Sequence, residues 1–402
     1  MLDPFDDYPV HQTPEPLAHT VSGDRNHYDR YFFNAYSAGG ELFIAAALGL
    51  YPNRQVADAA FSVVRDGVQT SVHASRRAPR ERTDLSVGPV SVRIDEPLRR
   101  LSVKVADNEA GLRAELVFIA RTVACEEPRF THRNSANRVV MDYTRLTQFG
   151  RWEGWVSVGG ERIVVGAGGL ELVGSRDRSW GVRSVGERDT EPPGPLPQFF
   201  WLWSPVNFDD VCTHFDVQED ATGRRWHDNG VILPVIGDAD PVLAPVSGSQ
   251  GPAGGGGPGG PGGDVVIAAG GAAGVVMAAV DWQVDWRPGT RRAERATISM
   301  QEFGGAHHSI ELVPILDFQM LGIGYFHPSW GHGVWKGEEA VGVESWRLAD
   351  LDPVAPSHLH VQQLCRATMG DRIGTGVLEQ LVIGAHAPSG LTELFDPAPA
   401  RR

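Results

Sequence analysis

Pro89-Val90-Ser91-Val92-Arg93-Ile94 places an apolar side chain at every second position, the period of a strand with one buried and one wet face. Leu101-Ser102-Val103-Lys104-Val105 repeats it. A turn at Asp107-Asn108-Glu109-Ala110-Gly111 then returns the chain along Leu112-Arg113-Ala114-Glu115-Leu116-Val117-Phe118-Ile119. Upstream, Ala60–Val64 and Val68–Val72 flank an Asp66-Gly67 turn, and the apolar run Leu42–Leu50 ends at Tyr51-Pro52-Asn53. His27-Tyr28-Asp29-Arg30-Tyr31-Phe32-Phe33-Asn34 reads as the first buried strand. Downstream, Trp155–Val158 and Ile163–Val165 form a hairpin around Gly159-Gly160, and a second β series opens at Phe199-Phe200-Trp201-Leu202-Trp203. It runs through Val211–Val217, Asn229–Ile236, Val280–Trp286, Arg295–Met300, Ser309–Met320 and Val341–Leu348. Helical periodicity is nearly absent, so the chain reads as all-β, built from antiparallel barrels or sandwiches.

At 402 residues there is too much chain for one ordinary core, which points to two domains. The boundaries read as an extended arm over residues 1–24, a first domain over 25–186, a proline-rich crossover over 187–197 and a second domain over 198–396. A Gly/Pro segment at 247–263 has no Lys-Ser/Thr or helix start after it, so it reads as a flexible surface loop between strands and not as a phosphate cradle. With 42% hydrophobic and 21% charged residues the composition is globular, and 48 Gly with 28 Pro fit a turn-rich β chain. A net charge of −14 gives no source for phosphate neutralisation, which argues against nucleic acid as a partner. Three distant cysteines without metal-like spacing favour a reducing compartment. No basic segment followed by an apolar one reads as a secretory signal, and no apolar run is long enough to cross a bilayer, so the expectation is a cytoplasmic protein without membrane insertion.

Two stretches concentrate polar chemistry. Gly174-Ser175-Arg176-Asp177-Arg178-Ser179-Trp180-Gly181-Val182-Arg183 holds a carboxylate among three guanidiniums and an indole. It reads either as an ion-pair network clamping two sheets with Trp180 as packing, or as a pocket mouth where the arginines set the protonation of Asp177. The second stretch, Gly322 to Glu338, sets His327, Trp330, His332 and Trp335 in a glycine-rich loop with Tyr325. Its histidines read as braces of a corner, as proton donors and acceptors in a ligand pocket, or, with His307-His308, as metal ligands. No carboxylate stands at a recognised metal spacing and no GxSxG elbow is present, so neither a metal cofactor nor a serine hydrolase is expected. Most of the eleven tryptophans must be core, but Trp180, Trp201, Trp203, Trp330 and Trp335 flank these stretches and would wall an apolar cavity if both open onto one.

The Asp177-Arg178-Ser179-Trp180-Gly181 segment resembles the Asp-x-x-Trp-Gly signature of the carotenoid 1,2-hydratase and AttH-like superfamily. The 27–34, 175–183 and 325–333 stretches are similar to an uncharacterised bacterial branch of it. The resemblance implies two lipocalin-like β-barrels in one chain and a role among isoprenoid hydratases, polyene cyclases and lipid-binding factors. Arg178 stands where the hydratases commonly carry His, and an arginine does not donate a proton at neutral pH.

The combined expectation is a protein that takes an elongated hydrophobic small molecule, isoprenoid, polyketide or lipid-like, in a β-barrel cavity, without a cofactor. It would hydrate, isomerise or cyclise an alkene, or else serve as a non-catalytic carrier. A metal-dependent enzyme using the histidine loop is a third reading. Asp177 is the candidate acid, with His327 or His332 handling the second proton. Arg176, Arg178, Trp180, Arg183, Trp201, Trp203, Tyr325, Trp330 and Trp335 are the candidate ligand contacts. The arginines beside Asp177 would favour its ionised form and oppose that acid role, so desolvation would have to outweigh them.

Overall fold

The computed structural model describes residues 2–9, 20–134, 137–186, 197–242, 268–269 and 272–398. The Gly/Pro loop at 247–263, all but the last residue of the 187–197 crossover and residues 10–19 of the arm lie outside them. Two β units make up most of the described chain, with six short 3-10 turns among their strands and a separate two-stranded pair, Ala268–Ala269 with Ala272–Ala273. The first is a curled 14-stranded sheet. Its main path runs from Glu339–Arg347 through Val68–Arg77, Val56–Arg65, Phe43–Tyr51, His27–Tyr36, Leu172–Val182, Val139–Val158, Arg113–Ala120, Arg100–Val105 and Val90–Glu96 to Ser86–Val87, and Cys125–Glu126, Phe130–Arg133 and Glu161–Val165 pair with Val139–Val158 off that path. The second is a closed eight-stranded barrel, sealed where Phe199–Asn207 pairs with Arg372–Ile383. The alternating segment that opened the sequence reading is the hairpin stack Val90–Glu96, Arg100–Val105 and Arg113–Ala120, with Val90, Val92, Leu101, Val103, Leu116 and Phe118 turned inward.

One strand of the first sheet comes from the second half of the sequence. Glu339–Arg347 pairs antiparallel with Val68–Arg77 over nine residues, so the region read as a second unit also supplies the first sheet's edge. The arm is likewise tied in. Pro4–Asp7 is a 3-10 turn capped by Asp3, and it carries Asp7 to a fully buried position beneath the first sheet.

Each unit has its own interior. Tyr31, Phe33, Phe61, Phe118 and Trp152 fill the first, while Phe200, Leu202, Phe215, Ile298, Leu312 and Leu378 fill the barrel. A third cluster lies between them, where Phe32, Phe43, Trp203, Phe318, Leu364 and Val377 meet across the outer faces of the two units. Phe32 and Trp203 pack edge to face at 6.5 Å, and Asn34 donates to Gln362 across the same junction at 3.1 Å. This contact explains why His27–Tyr36 is buried at all ten positions, where alternation alone leaves one face wet.

Candidate functional site

Leu172–Val182 lies between His27–Tyr36 and Val139–Val158, so the strand period sorts its residues onto two faces. Arg176, Arg178 and Trp180 point into the first unit. Arg176 donates to Asp7 at 2.6 Å and to Gln148 at 2.9 Å, and Arg178 pairs with Asp29 beneath the Tyr31 ring. All four charged side chains are fully buried. Trp180 packs with Leu98, Ala124 and Leu146. The sequence set Arg176 and Arg178 beside Asp177 as the groups controlling its proton, and Trp180 as a wall of its pocket. The fold places all three on the face away from the Asp177 carboxyl.

Asp177 faces the barrel. On its side of the sheet its cross-strand partners are Phe32 and Thr147, with Tyr28, Arg30 and Arg145 in line on the neighbouring strands. Burial pushes its carboxyl up to about 7; Arg145 and Arg30 oppose that, while Glu127 and Glu379 reinforce it. The residue nonetheless keeps partial contact with solvent, as do Trp201, Tyr325 and His332. The arginines that matter electrostatically are therefore Arg145 and Arg30, from other strands.

The walls come from both units. The Arg145 guanidinium lies 5.3 Å from the Trp201 ring and 5.8 Å from Trp203, and it donates to Glu127. Burial works against the Arg145 charge, but Glu127 and its neighbours hold it well above the ordinary arginine value. Glu127 also takes the Thr147 hydroxyl at 2.5 Å and stands 3.3 Å from His214 Nε2. His214 contacts Asp216 at 2.9 Å, and His227 lies 2.6 Å from the other Asp216 oxygen. Burial alone would lower His214, but Glu127 and Asp216 raise it to about 9.

On the other side, Arg183 lies 4.7 Å from the Tyr28 ring and 5.6 Å from Tyr325, and Arg30 is 4.9 Å from Tyr325. Tyr325 meets His332 edge-on at 4.5 Å and His360 at 4.4 Å. His360 Nε2 is 2.6 Å from Glu379, which also accepts from Gln362 at 2.6 Å. The buried His360 Nδ1 has no hydrogen-bond partner among the described residues. A carboxylate accepting from Nε2–H leaves Nδ1 as a bare acceptor, the arrangement of a held imidazole base.

The histidine loop divides. His332 stays at this junction, with Nδ1 3.2 Å from the Arg30 guanidinium and Nε2 2.9 Å from the Ile323 carbonyl. Burial, then Arg30 and Arg183, hold it well below the ordinary histidine value, so it is neutral. His327 instead turns to the sheet edge, where Nε2 is 2.7 Å from Glu344 and Nδ1 accepts from the Ser329 and Trp330 backbone. Trp330 lies parallel to His73 at 5.8 Å, and Trp335 sits exposed under Arg77. His308 pairs with Glu302, apart from both.

Of the sequence-derived candidates, the fold gathers Asp177, Arg183, Trp201, Trp203, Tyr325 and His332 at one junction. Arg176, Arg178, Trp180, His327, Trp330 and Trp335 stand elsewhere. Arg30, Glu127, Arg145, His214, Asp216, His360 and Glu379 were missed. The signal was present in Thr213-His214-Phe215-Asp216-Val217-Gln218, whose alternate polar residues look like a wet face but are all buried.

No curated protein matches the chain. Among solved structures, an AttH-like protein from Nitrosomonas europaea aligns with TM-score 0.49 and 10% identity over 93% of this chain and 98% of its own. Kievitone hydratase from Nectria haematococca aligns with TM-score 0.47 and 10% identity over 88% of each chain. CghA with Sch210972 aligns with TM-score 0.49 and 9% identity over 90% of each. At the level of sequence, residues 2–253 and 262–392 match one family throughout: the chain belongs to a family of unknown function, DUF8625.

Proposed function

We infer that the junction between the two units is an acid–base site for a hydrophobic small molecule. The observation that carries this reading is Asp177. Its carboxyl is desolvated until it titrates near neutral pH, yet it retains access to solvent and is faced by aromatic rings from both units. In this reading protonated Asp177 adds its proton to an alkene or dienol. The Trp201 ring stabilises the developing cation, a role that Trp180 and Trp330 are not placed to take. His360 Nδ1, held by Glu379, receives the second proton in place of His327 or His332. Water addition gives hydration; loss of the second proton without water gives isomerisation or ring closure. The substrate class that suits this reading is an unsaturated skeleton set against Trp201, with a hydroxyl or carbonyl toward Tyr325 and Arg183.

The reading is tested by native mass spectrometry and organic extraction of freshly purified protein, followed by turnover of the molecule recovered. Asp177→Asn should lower turnover about 10²–10⁴-fold, with binding retained. Full activity of Asp177→Asn would exclude Asp177 as the acid. Tight binding without turnover in the wild-type protein would favour a carrier using the same walls.

A further inference from the structure

Buried arginines in this chain are generally held by a carboxylate. Arg145 pairs with Glu127, Arg176 with Asp7, Arg178 with Asp29, Arg291 with Asp396 and Arg292 with Asp317. Arg30 breaks the pattern: it is 2% exposed and meets no carboxylate among the described residues. Its guanidinium donates to His332 Nδ1 and to the Ile323 carbonyl, each at 3.2 Å, and its Nε is buried without a hydrogen-bond partner. Both acceptors are neutral, so the charge is hydrogen-bonded but not compensated.

Arg183 repeats the case nearer the surface. It donates to the Tyr325 hydroxyl and lies over the Tyr28 ring, its Nε is buried and unpartnered, and no carboxylate pairs with it among the described residues. Asp58 is the acid whose charge both guanidiniums feel, but burial raises it to about 6. Its oxygens take the Tyr51 hydroxyl at 3.2 Å and the Gly333 N–H at 2.7 Å, with neither guanidinium in ion-pair contact. Two cations therefore flank Tyr325, Arg30 over its ring at 4.9 Å and Arg183 at its hydroxyl, in an interior where an uncompensated charge is costly. Arg183 and Tyr325 keep partial contact with solvent, so an anion can reach this corner. Arg30 stands opposite Ser179, two residues or about 7 Å along the strand from Asp177. The cationic corner and the acid are neighbours on one face.

Building on the acid–base reading of the junction, we propose that its substrate is an unsaturated carboxylic acid whose carboxylate binds the Arg183 guanidinium and the Tyr325 hydroxyl, in the field of Arg30. A carboxylate takes two donors side by side. Arg183 has N–H groups to spare, and the Tyr325 hydroxyl, which accepts from Arg183, keeps its own proton to donate. The bound carboxylate also acts on the reacting end. Arg30 favours the ionised form of Asp177, and an anion beside Arg30 offsets that charge. Substrate binding thus helps to keep the acid protonated.

The test measures binding by titration calorimetry of the full-length protein at pH 6.5 with farnesoic acid, farnesol and farnesyl phosphate. The acid should bind once per chain, about 10–100-fold more tightly than the alcohol, as charge-assisted hydrogen bonds allow. Arg183→Gln should abolish that preference and leave farnesol binding as it was; Arg30→Gln should weaken the preference and Arg30→Lys restore it. Should Arg30→Gln fail to fold, Arg183→Gln, at a partly exposed position, decides alone. Failure of the acid to bind, an alcohol bound as tightly as the acid, or an acid preference that survives Arg183→Gln overturns the carboxylate site. Farnesyl phosphate bound more tightly than the acid overturns it in favour of a phosphate. Asp177→Asn keeps the two readings apart. An acid preference that depends on Arg183, with turnover unchanged by Asp177→Asn, keeps the anion site and removes the acid; loss of turnover in Asp177→Asn without any acid preference does the reverse.

Discussion

The two faces of Leu172–Val182 put neighbouring residues under opposite electrostatic regimes. Inward, Arg176 and Arg178 meet Asp7 and Asp29 in closed, fully buried ion pairs. Outward, Asp177 has no guanidinium at bonding distance among the described residues, and burial drives it toward the neutral acid. One residue of register separates a charge that is neutralised by a partner from one that is neutralised by a proton. A strand can thus carry a structural clamp and a titrating group in adjacent positions without either disturbing the other.

The sharpest way to break this contrast is to remove one side of the inward clamp. Arg176→Met should cost about 3–5 kcal/mol in urea denaturation, because it leaves Asp7 as an unpaired buried charge. The double change with Asp7→Leu should recover much of that loss. A cost below about 1 kcal/mol for the single change would mean the inward face is not a clamp.

Asp177 should behave in the opposite sense. Its folded pKa, about 7, exceeds the ordinary carboxylate value, so the native state binds the extra proton and stability falls as pH rises from about 4 to about 7. Asp177→Asn should flatten that slope and raise stability at pH 8 by on the order of 2 kcal/mol, after discounting for partial solvent access. Destabilisation at pH 8 would instead show that the carboxylate is held in its charged form.

His214 occupies a separate window. Raised to about 9 by Glu127 and Asp216, it contributes stability that is fully present below about pH 6.5 and is lost as pH rises through 9. His214→Gln should remove about 1–2 kcal/mol of this alkaline slope while leaving the acidic one, as read by denaturation at pH 6 and pH 9.5. The smallest effect belongs to the wet face of the first sheet. Lys104 and Glu115 pair across strands at 3.4 Å with more than half of each side chain exposed, so Lys104→Ala should change stability by less than about 1 kcal/mol.

The strands were legible because their chemistry is local. Val90, Val92 and Ile94 announce their period, and Asp66-Gly67 and Gly159-Gly160 mark the turns that the fold contains. The site was half legible. Asp177, Trp201, Trp203, Tyr325 and His332 sit in dense polar or aromatic stretches, and the fold brings them together. Arg176 and Arg178 were misread because closeness in sequence was taken for closeness in space, although a strand sends adjacent side chains to opposite faces. His214, Asp216 and Glu379 were missed for a related reason: the alternating polar residues were there to read, but on a strand they predict water, and only the docking of one unit on the other turns that face into an interior.

The strand that the second half lends to the first sheet also sets an order of events during synthesis. Val68–Arg77 must wait for Glu339–Arg347 before its outer backbone groups are paired, so through most of translation the nascent sheet carries an open, self-complementary edge. A ribosome stalled between the two halves would therefore present a sticky intermediate, and a chain severed there would tend to pair with copies of itself. Chaperone dependence should scale with the time taken to reach that late strand.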